Sequence, residues 1–187
     1  MNRDVVEFRR AGSPDYEGIL RLQAANYVVN LSEAERREGF LSAEFSREQV
    51  AAMADDLGIM IAVESGVIAG YLCAFRNEFN HGSPVVAEML NSYDRVEFEG
   101  KPLSFYSSYI YGPVCIGKNH RRRGLLRGLF EAQKRDLEGQ FDVGVAFVAR
   151  SNSHSLQVHI AGLGMADVGD FEVKGNSYVI LAFRLAS

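Results

Sequence analysis

The segment from Phe105 to Leu137 constrains the fold of this chain more than any other part of it. An apolar, strand-like run, FYSSYIYGPVCI, leads into a short basic loop at 117–123, and an amphipathic helical pattern follows from Gly124. Proline cannot donate a ladder hydrogen bond, so we expect this strand to be bulged or unpaired at Gly112-Pro113. A strand, a loop and a helix in this order predict a fold that mixes sheet and helix.

The start of that helix is suited to an anion. The first amides of a helix have no intrahelical partner, and the helix dipole places about half a positive charge there. Gly124 lacks the Cβ that would keep an oxyanion away from these amides. We therefore predict a phosphate or diphosphate site here, with a solvated charged turn ahead of a core helix as the alternative. The arginines around this helix end are Arg121, Arg122, Arg123 and Arg127.

Apolar runs and helix-start signals predict the rest of the fold. Two capping boxes, Ser32-x-x-Glu35 and Ser46-x-x-Gln49, indicate helix starts, as does Ser13-Pro14. A short helix is predicted over 153–163. Further strand-like runs lie at 5–9, 59–63, 67–75, 141–148, 165–173 and 178–185.

Residues 76–103 lack this regularity. Their flanks are polar and rich in turn residues, and only 84–89 has a helical pattern, so we interpret the segment as an irregular excursion. Repeats, linkers and low-complexity tracts are absent from the sequence. We therefore predict one α+β domain over residues 1–187, with a central, mixed, mostly antiparallel sheet, a bulged central strand and flanking helices.

The composition argues against several classes of protein. The 187 residues amount to about one domain. No run reaches the roughly 20 apolar residues of a membrane-spanning helix, and the charged start, MNRDVVEFRR, is unlike a secretory signal. Two cysteines within apolar runs and four scattered histidines predict a reduced, cytoplasmic protein without a metal site. The net charge of −4 argues against nucleic acid and membrane as partners.

Two known phosphate-binding motifs, G-x-x-x-x-G-K-[ST] and a helix-opening G-x-G-x-x-G, are absent from the sequence. The basic loop instead resembles the signature of the GNAT superfamily of N-acetyltransferases, [Q/R]-x-x-G-x-[G/A], although Leu126 stands where that family has Gly or Ala. The order of elements also fits from about residue 5 to the end. The matching residues are Arg121, Arg122, Arg123, Gly124, Leu125 and Leu126.

This resemblance implies acetyl-CoA as cosubstrate and direct attack by a primary amine, with no acyl-enzyme. It implies that the loop and helix start bind the pyrophosphate, from Arg121 through Arg127, and that the strand before the loop pairs with the pantetheine arm. That strand corresponds to Val114, Cys115 and Ile116. Asn152 and Ser155 match the part of the family pattern that supports the cofactor.

Acetyl transfer also needs a base for the amine and an acid for the departing sulfur. His159 aligns with the family's usual tyrosine, so it is the candidate general acid, although one extra residue separates it from Gly164. The family often has a glutamate base on the central strand, whereas this strand has Tyr109 and Tyr111. Glu78 and His81, in the irregular segment, are therefore the candidates for the base.

The acceptor stays open between a small amine, an amino acid, an aminoglycoside and a protein amine. A non-catalytic acyl-CoA-binding or sensing domain is the main alternative, because the central strand has no carboxylate and a histidine replaces the tyrosine. A nucleic-acid module that uses the HRRR run is disfavoured by the acidic remainder of the chain. The acyl group, acetyl or longer, and the oligomeric state, with a homodimer as one option, are also open.

Overall fold

The computed structural model describes residues 5–186 of the chain. Its strands follow the predicted apolar runs to within about three residues, and two very short strands are added between residues 97 and 102. The strands are β1 (Glu7–Arg10), β2 (Ile59–Glu64), β3 (Val67–Arg76), β4 (Glu97–Phe98), β5 (Lys101–Pro102), β6 (Ser108–Ile116), β7 (Val143–Ala149), β8 (Ala166–Val173) and β9 (Asn176–Arg184).

The helices begin where the sequence offers caps. Ser32 and Ser46 both form the predicted capping boxes, with Glu35 and Gln49. The turn predicted to open the first helix, Ser13–Asp15, is a separate 3-10 turn that precedes it. The helices are α1 (Tyr16–Asn26), α2 (Glu33–Arg36), α3 (Arg47–Asp56), α4 (Pro84–Asn91), α5 (Leu125–Leu137) and α6 (Ser153–Gln157).

Within residues 5–186, seven strands form a mixed sheet in the order β1-β2-β3-β6-β7-β9-β8, and β4 pairs with β5 alone. The β1–β2, β2–β3, β7–β9 and β8–β9 pairs are antiparallel, and β6–β7 is parallel. This β6–β7 register covers only Ser108–Ile110, so it ends two residues before Gly112, which has φ +101°. The predicted mixed, mostly antiparallel sheet with flanking helices is confirmed.

The chain divides into two compact units. The first comprises the residues up to Phe75 together with Gly112–Asp136. Its glycines allow close packing: a Cβ on Gly128 of α5 would lie 2.1 Å from the Phe8 ring of β1, and one on Gly70 would lie 2.8 Å from Ile116. Its fully buried side chains include Ile19, Ile59, Ile61, Tyr71, Leu72 and Leu129.

The second unit comprises Arg76–Tyr111 and the residues from Leu137 onward. The 76–103 segment is more regular than we predict from sequence, because it contains α4, which extends the expected helix, and the β4–β5 hairpin. This segment packs on β8, where a Cβ on Gly169 would lie 3.2 Å from Val96. The buried side chains of this unit include Met89, Leu103, Tyr109, Ile110 and Leu137.

The prediction of one domain over residues 1–187 stays a prediction, and both its ends lie outside the described residues. No helix within residues 5–186 is long and apolar enough to cross a membrane. The cytoplasmic location stays a prediction.

Candidate functional site

The basic loop (Gly117–Arg123) joins β6 to α5 in the first unit. It is held to the sheet at its start, where the Gly117 amide donates to the Ala69 carbonyl at 2.8 Å. A Cβ on Gly117 would lie 3.2 Å from the His120 ring and 3.3 Å from the Ala69 oxygen, so the absence of a side chain allows this close approach. The loop therefore starts from a fixed position at the end of the strand.

The Arg121 side chain holds the basic loop in place through three hydrogen bonds. Its guanidinium donates to Asn26 Oδ1 at 2.9 Å, to the Glu38 carbonyl at 3.1 Å and to the Ile116 carbonyl at 3.3 Å. These bonds tie the loop to the end of α1 and to the turn after α2. Arg121 thus positions the loop, and its predicted contact with a diphosphate stays a prediction.

The other loop cations are paired with carboxylates. Arg123 forms a two-point ion pair with Glu64 of β2, which also lies 3.3 Å from His120 Nε2. Arg123 lowers the pKa of Glu64, although the carboxyl group is buried. Glu64 was not among the residues singled out from the sequence, but a glutamate at the end of an apolar strand is the signal that could have found it.

Two further ion pairs join the loop to α2 and to the turn that follows it. Lys118 pairs with Glu35 and lowers the pKa of that carboxyl group to about 2. Arg122 is largely exposed, has φ +60° and lies 3.6 Å from Glu38. Within the HRRR run, His120, Arg122 and Arg123 therefore lie next to carboxylates, while Arg121 bonds to neutral oxygens. The predicted binding of phosphate by Arg122 and Arg123 stays a prediction.

The main-chain amides at the start of α5 have the geometry that the predicted anion site requires. Gly124 has φ +82°, a conformation that side chains disfavour, and its carbonyl accepts from the Gly128 amide at 3.0 Å. A Cβ at Gly124 would point into open space, with no atom within 4 Å. The amides of Leu125 and Leu126 belong to the first turn, where a helix provides no intrahelical acceptor. This geometry fits a phosphate in the space that a side chain would fill.

The strand residues before the loop are Val114, Cys115 and Ile116, and of these only Cys115 is buried. Burial raises the pKa of its thiol to about 12, so the group is protonated at neutral pH. Burial also raises the pKa of Cys73. Both thiols therefore lack the thiolate that a cysteine nucleophile needs, in agreement with direct attack by an amine.

In the second unit the structure brings Asn152, Ser155 and His159 together. Asn152 caps α6, since its side-chain oxygen accepts from the Ser155 amide at 3.3 Å. His159 follows in a π-helical turn, Val158–Gly162, and is 3% exposed. A π-helical turn is wider than an α-helical turn, and this one lies in the segment where the sequence has one residue more than the family pattern. The predicted cofactor contacts of Asn152 and Ser155 stay predictions.

The hydrogen bonds of His159 fix its tautomer. Nδ1 lies 2.7 Å from the Ser155 carbonyl, which can only accept, so Nδ1 carries the proton. Burial lowers the pKa of His159, and the ring is therefore neutral with a lone pair on Nε2. The Tyr111 hydroxyl, 3.0 Å away, donates to that nitrogen. A histidine that accepts at Nε2 does not fit the predicted role of direct general acid, and sequence reasoning missed Tyr111 as its partner.

The two base candidates lie between β3 and α4. Glu78 is exposed, and His81 is partly buried with its ring 5.1 Å from that of Phe79, edge to face. The structure does not associate either of them with His159 in a hydrogen bond, and their role as a base stays a prediction. Among residues 5–186, no group of three or more His, Cys, Asp or Glu is arranged to hold a metal ion.

No protein-family model and no curated protein matches this sequence. Solved structures do match it. An N-acetyltransferase from Staphylococcus aureus Mu50 has a TM-score of 0.64 at 13% identity, over 97% of this chain and 99% of that chain. A protein from Desulfovibrio desulfuricans assigned to the GNAT family of acetyltransferases has a TM-score of 0.63 at 14% identity, over 97% and 100%.

A third structure, of a protein from Salmonella typhimurium assigned as an acetyltransferase and solved with its cofactor acetyl-CoA, has a TM-score of 0.60 at 15% identity, over 97% and 95%. The identities are low, so the likeness is one of fold. The chain has the GNAT fold, so the predicted resemblance to that superfamily is confirmed at the level of the fold, and the match of the basic loop to the GNAT signature stays a prediction.

Proposed function

We propose that this protein binds acetyl-CoA at the start of α5 and transfers the acetyl group to a primary amine by direct attack. The observation that carries the proposal is Gly124, whose left-handed conformation leaves the first helix amides open to an anion. Support comes from the fold, since the Salmonella protein of the same fold was solved with acetyl-CoA. Acetyl-CoA would supply the activated acetyl group as a thioester.

Different residues of this chain would bind different parts of acetyl-CoA. The amides of Leu125 and Leu126 would hold the diphosphate, while Arg121 would keep the loop in place through Asn26. Main-chain amides are held by the helix and do not titrate, so they are a preorganised anion site. Of the strand residues, Val114 and Ile116 would pair with the pantetheine arm through their backbone.

The acceptor must react as a neutral amine. A lysine-like amine with a pKa of about 10.4 is neutral in only about one molecule in 2,500 at pH 7, and selecting that form costs about 4.6 kcal/mol. The enzyme therefore needs a group that accepts the amine proton. We propose no particular acceptor molecule within the class of small-molecule and protein amines.

Binding is tested by thermal unfolding with acetyl-CoA. At a concentration of about 100 times Kd, binding stabilises the protein by about 2.7 kcal/mol, which raises Tm by about 5–10 °C for a chain of this size. Adenosine diphosphate should give a smaller shift, because it shares the diphosphate and lacks the pantetheine arm. Absence of any shift with millimolar acetyl-CoA would contradict the proposal.

Catalysis is tested by incubation with acetyl-CoA and a pooled amine library, following free thiol and acetylated product together. Release of thiol with formation of an N-acetyl product supports the transferase. Binding of acetyl-CoA without turnover of any amine would favour a non-catalytic acyl-CoA-binding domain instead. Labelled duplex DNA, added at physiological salt, should not bind.

A further inference from the structure

The pair formed by Tyr111 and His159 holds a proton whose position the geometry fixes. The Ser155 carbonyl keeps one ring proton on Nδ1, so the proton between Nε2 and the Tyr111 oxygen belongs to the hydroxyl. The two rings meet edge to face, with centroids 5.5 Å apart. Ser155 Oγ lies 3.3 Å from Nδ1 and adds a second acceptor for the same ring proton. The result is a directed chain from Tyr111 through His159 to Ser155.

We propose that Tyr111 and His159 form the proton relay of acetyl transfer, with Tyr111 as the catalytic residue and His159 as the residue that positions and exchanges its proton. This inference rests on the proposed function. It assigns to one pair both proton-transfer roles, base and acid, for which the sequence offers only separate candidates. Tyr111 stands on β6, the strand on which no carboxylate is present.

The relay balances over one turnover. As the neutral amine attacks the acetyl carbon, the nitrogen releases a proton to the Tyr111 oxygen, and the Tyr111 proton moves to His159 Nε2. When the carbon–sulfur bond breaks, its electron pair stays on sulfur, which takes a proton from Tyr111. The proton on Nε2 then returns to the Tyr111 oxygen. One proton has moved from nitrogen to sulfur, nothing is oxidised, and the pair ends as it began.

The surroundings keep His159 unprotonated at neutral pH, so Nε2 has a free lone pair for the Tyr111 proton. Burial lowers its pKa, the Ser155 carbonyl opposes that effect, and the neighbouring His154 lowers the pKa further. Tyr111 faces it from β6, and burial raises the pKa of this hydroxyl well above its usual value, with Tyr109 adding to the effect. At neutral pH both partners are therefore uncharged, which is the starting state that the relay requires.

Tyr109 provides a matched control for Tyr111. Both tyrosines lie on β6 two residues apart, on the same face of the strand, and both are buried. Both rings also pack edge to face on Phe183, with centroids 6.2 Å away for Tyr109 and 5.7 Å for Tyr111. Tyr111→Phe and Tyr109→Phe therefore remove the same atom from similar packing, and only the first removes the hydroxyl that contacts His159.

The experiment measures kcat and acetyl-CoA affinity for these two variants and for His159→Gln, with an amine that the library identifies. We expect Tyr111→Phe to lower kcat by about 10²- to 10⁴-fold and Tyr109→Phe by less than about threefold, with acetyl-CoA affinity unchanged in both. The glutamine of His159→Gln can accept a hydrogen bond and cannot take a proton. It should lower kcat and remove the acid limb of the kcat–pH profile, which in the wild type lies below about pH 6.5.

Nitrogen-15 NMR of His159 gives a readout that does not depend on turnover. We expect an Nδ1–H tautomer with an unprotonated Nε2 whose shift changes in Tyr111→Phe and not in Tyr109→Phe. A protonated Nε2, or similar losses of kcat in the two tyrosine variants, would overturn the relay. A wild type that binds acetyl-CoA and acetylates no amine would instead overturn the proposed function, so the two failures are distinguishable.

Discussion

The basic loop and the His159 turn (Asn152–Gly162) are both rich in polar groups. The loop has ion pairs between charged side chains, whereas the turn has hydrogen bonds between uncharged groups. In the loop, Lys118, His120, Arg122 and Arg123 lie next to carboxylates. In the turn, burial keeps His159 neutral and its hydrogen bonds are directional. Ion pairs therefore hold the loop in its conformation, while hydrogen bonds in the turn fix which nitrogen of His159 carries the proton. A conspicuous run of arginines does not by itself locate the anion site.

The largest effect within the loop should come from its positioning arginine. Arg121→Ala removes three hydrogen bonds that hold the loop to Asn26, Glu38 and Ile116, so the amides of α5 lose their fixed setting. We expect acetyl-CoA affinity to fall by about tenfold or more, with a lower Tm. Calorimetric titration measures the affinity.

Arg122→Ala is the matched control, because Arg122 is 85% exposed at its side chain and its ion pair with Glu38 is long, at 3.6 Å. We expect its loss to change acetyl-CoA affinity by less than about threefold. Equal losses for Arg121→Ala and Arg122→Ala would mean that the arginines bind the ligand as a charge cluster, and the contrast between loop and turn would then fail.

A smaller effect of opposite sign should follow from removing a loop carboxylate. Glu38→Gln leaves the backbone carbonyl that accepts from Arg121 and frees Arg122 from its ion pair. A freed cation near the helix start should tighten acetyl-CoA binding by about two- to fivefold, in the range of an exposed ion pair. The gain should shrink as salt rises, since exposed charges are screened. Weaker acetyl-CoA binding in this variant would show that the Glu38 carboxylate itself contributes to binding.

The smallest effect concerns the stability of the His159 turn. Burial lowers the pKa of His159 below its ordinary value of about 6.5, so the folded protein binds fewer protons than the unfolded chain in the window below that value. The contribution of the neutral His159 ring to the free energy of unfolding is therefore complete above about pH 6.5. It is lost as the pH falls through the folded-state pKa of His159. Tm should drop between about pH 6.5 and 5 in the wild type, and that drop should be smaller in His159→Gln. An identical drop in both would contradict a buried neutral ring.

Local features of the sequence predicted most of the fold. Capping boxes at Ser32 and Ser46 and the glycine after α3, Gly58 with φ +96°, depend on a few neighbouring residues, so they can be recognised without the structure. The β4–β5 hairpin could not be predicted, because strands of two residues leave no alternating pattern.

The candidate site was harder to predict because its contacts join distant parts of the chain. Arg121 and Asn26 are 95 residues apart, and Tyr111 and His159 are 48 apart. Nothing in the spacing of either pair indicates the contact. The tautomer of His159 likewise depends on one carbonyl placed by the local helical turn. The sequence therefore predicted the loop from Gly124, but it did not indicate which side chains make the contacts that hold the structure together.

The most direct test of the anion site compares the two glycines that flank α5. Gly124 precedes the helix with φ +82° and Gly139 follows it with φ +81°, and in both a Cβ would point into open space. Gly124→Ala and Gly139→Ala therefore carry a similar backbone strain of about 1–2 kcal/mol. Calorimetric titration with acetyl-CoA should show at least a tenfold loss of affinity for Gly124→Ala and an unchanged affinity for Gly139→Ala. Equal affinities in the two variants would contradict binding of the diphosphate at the start of α5.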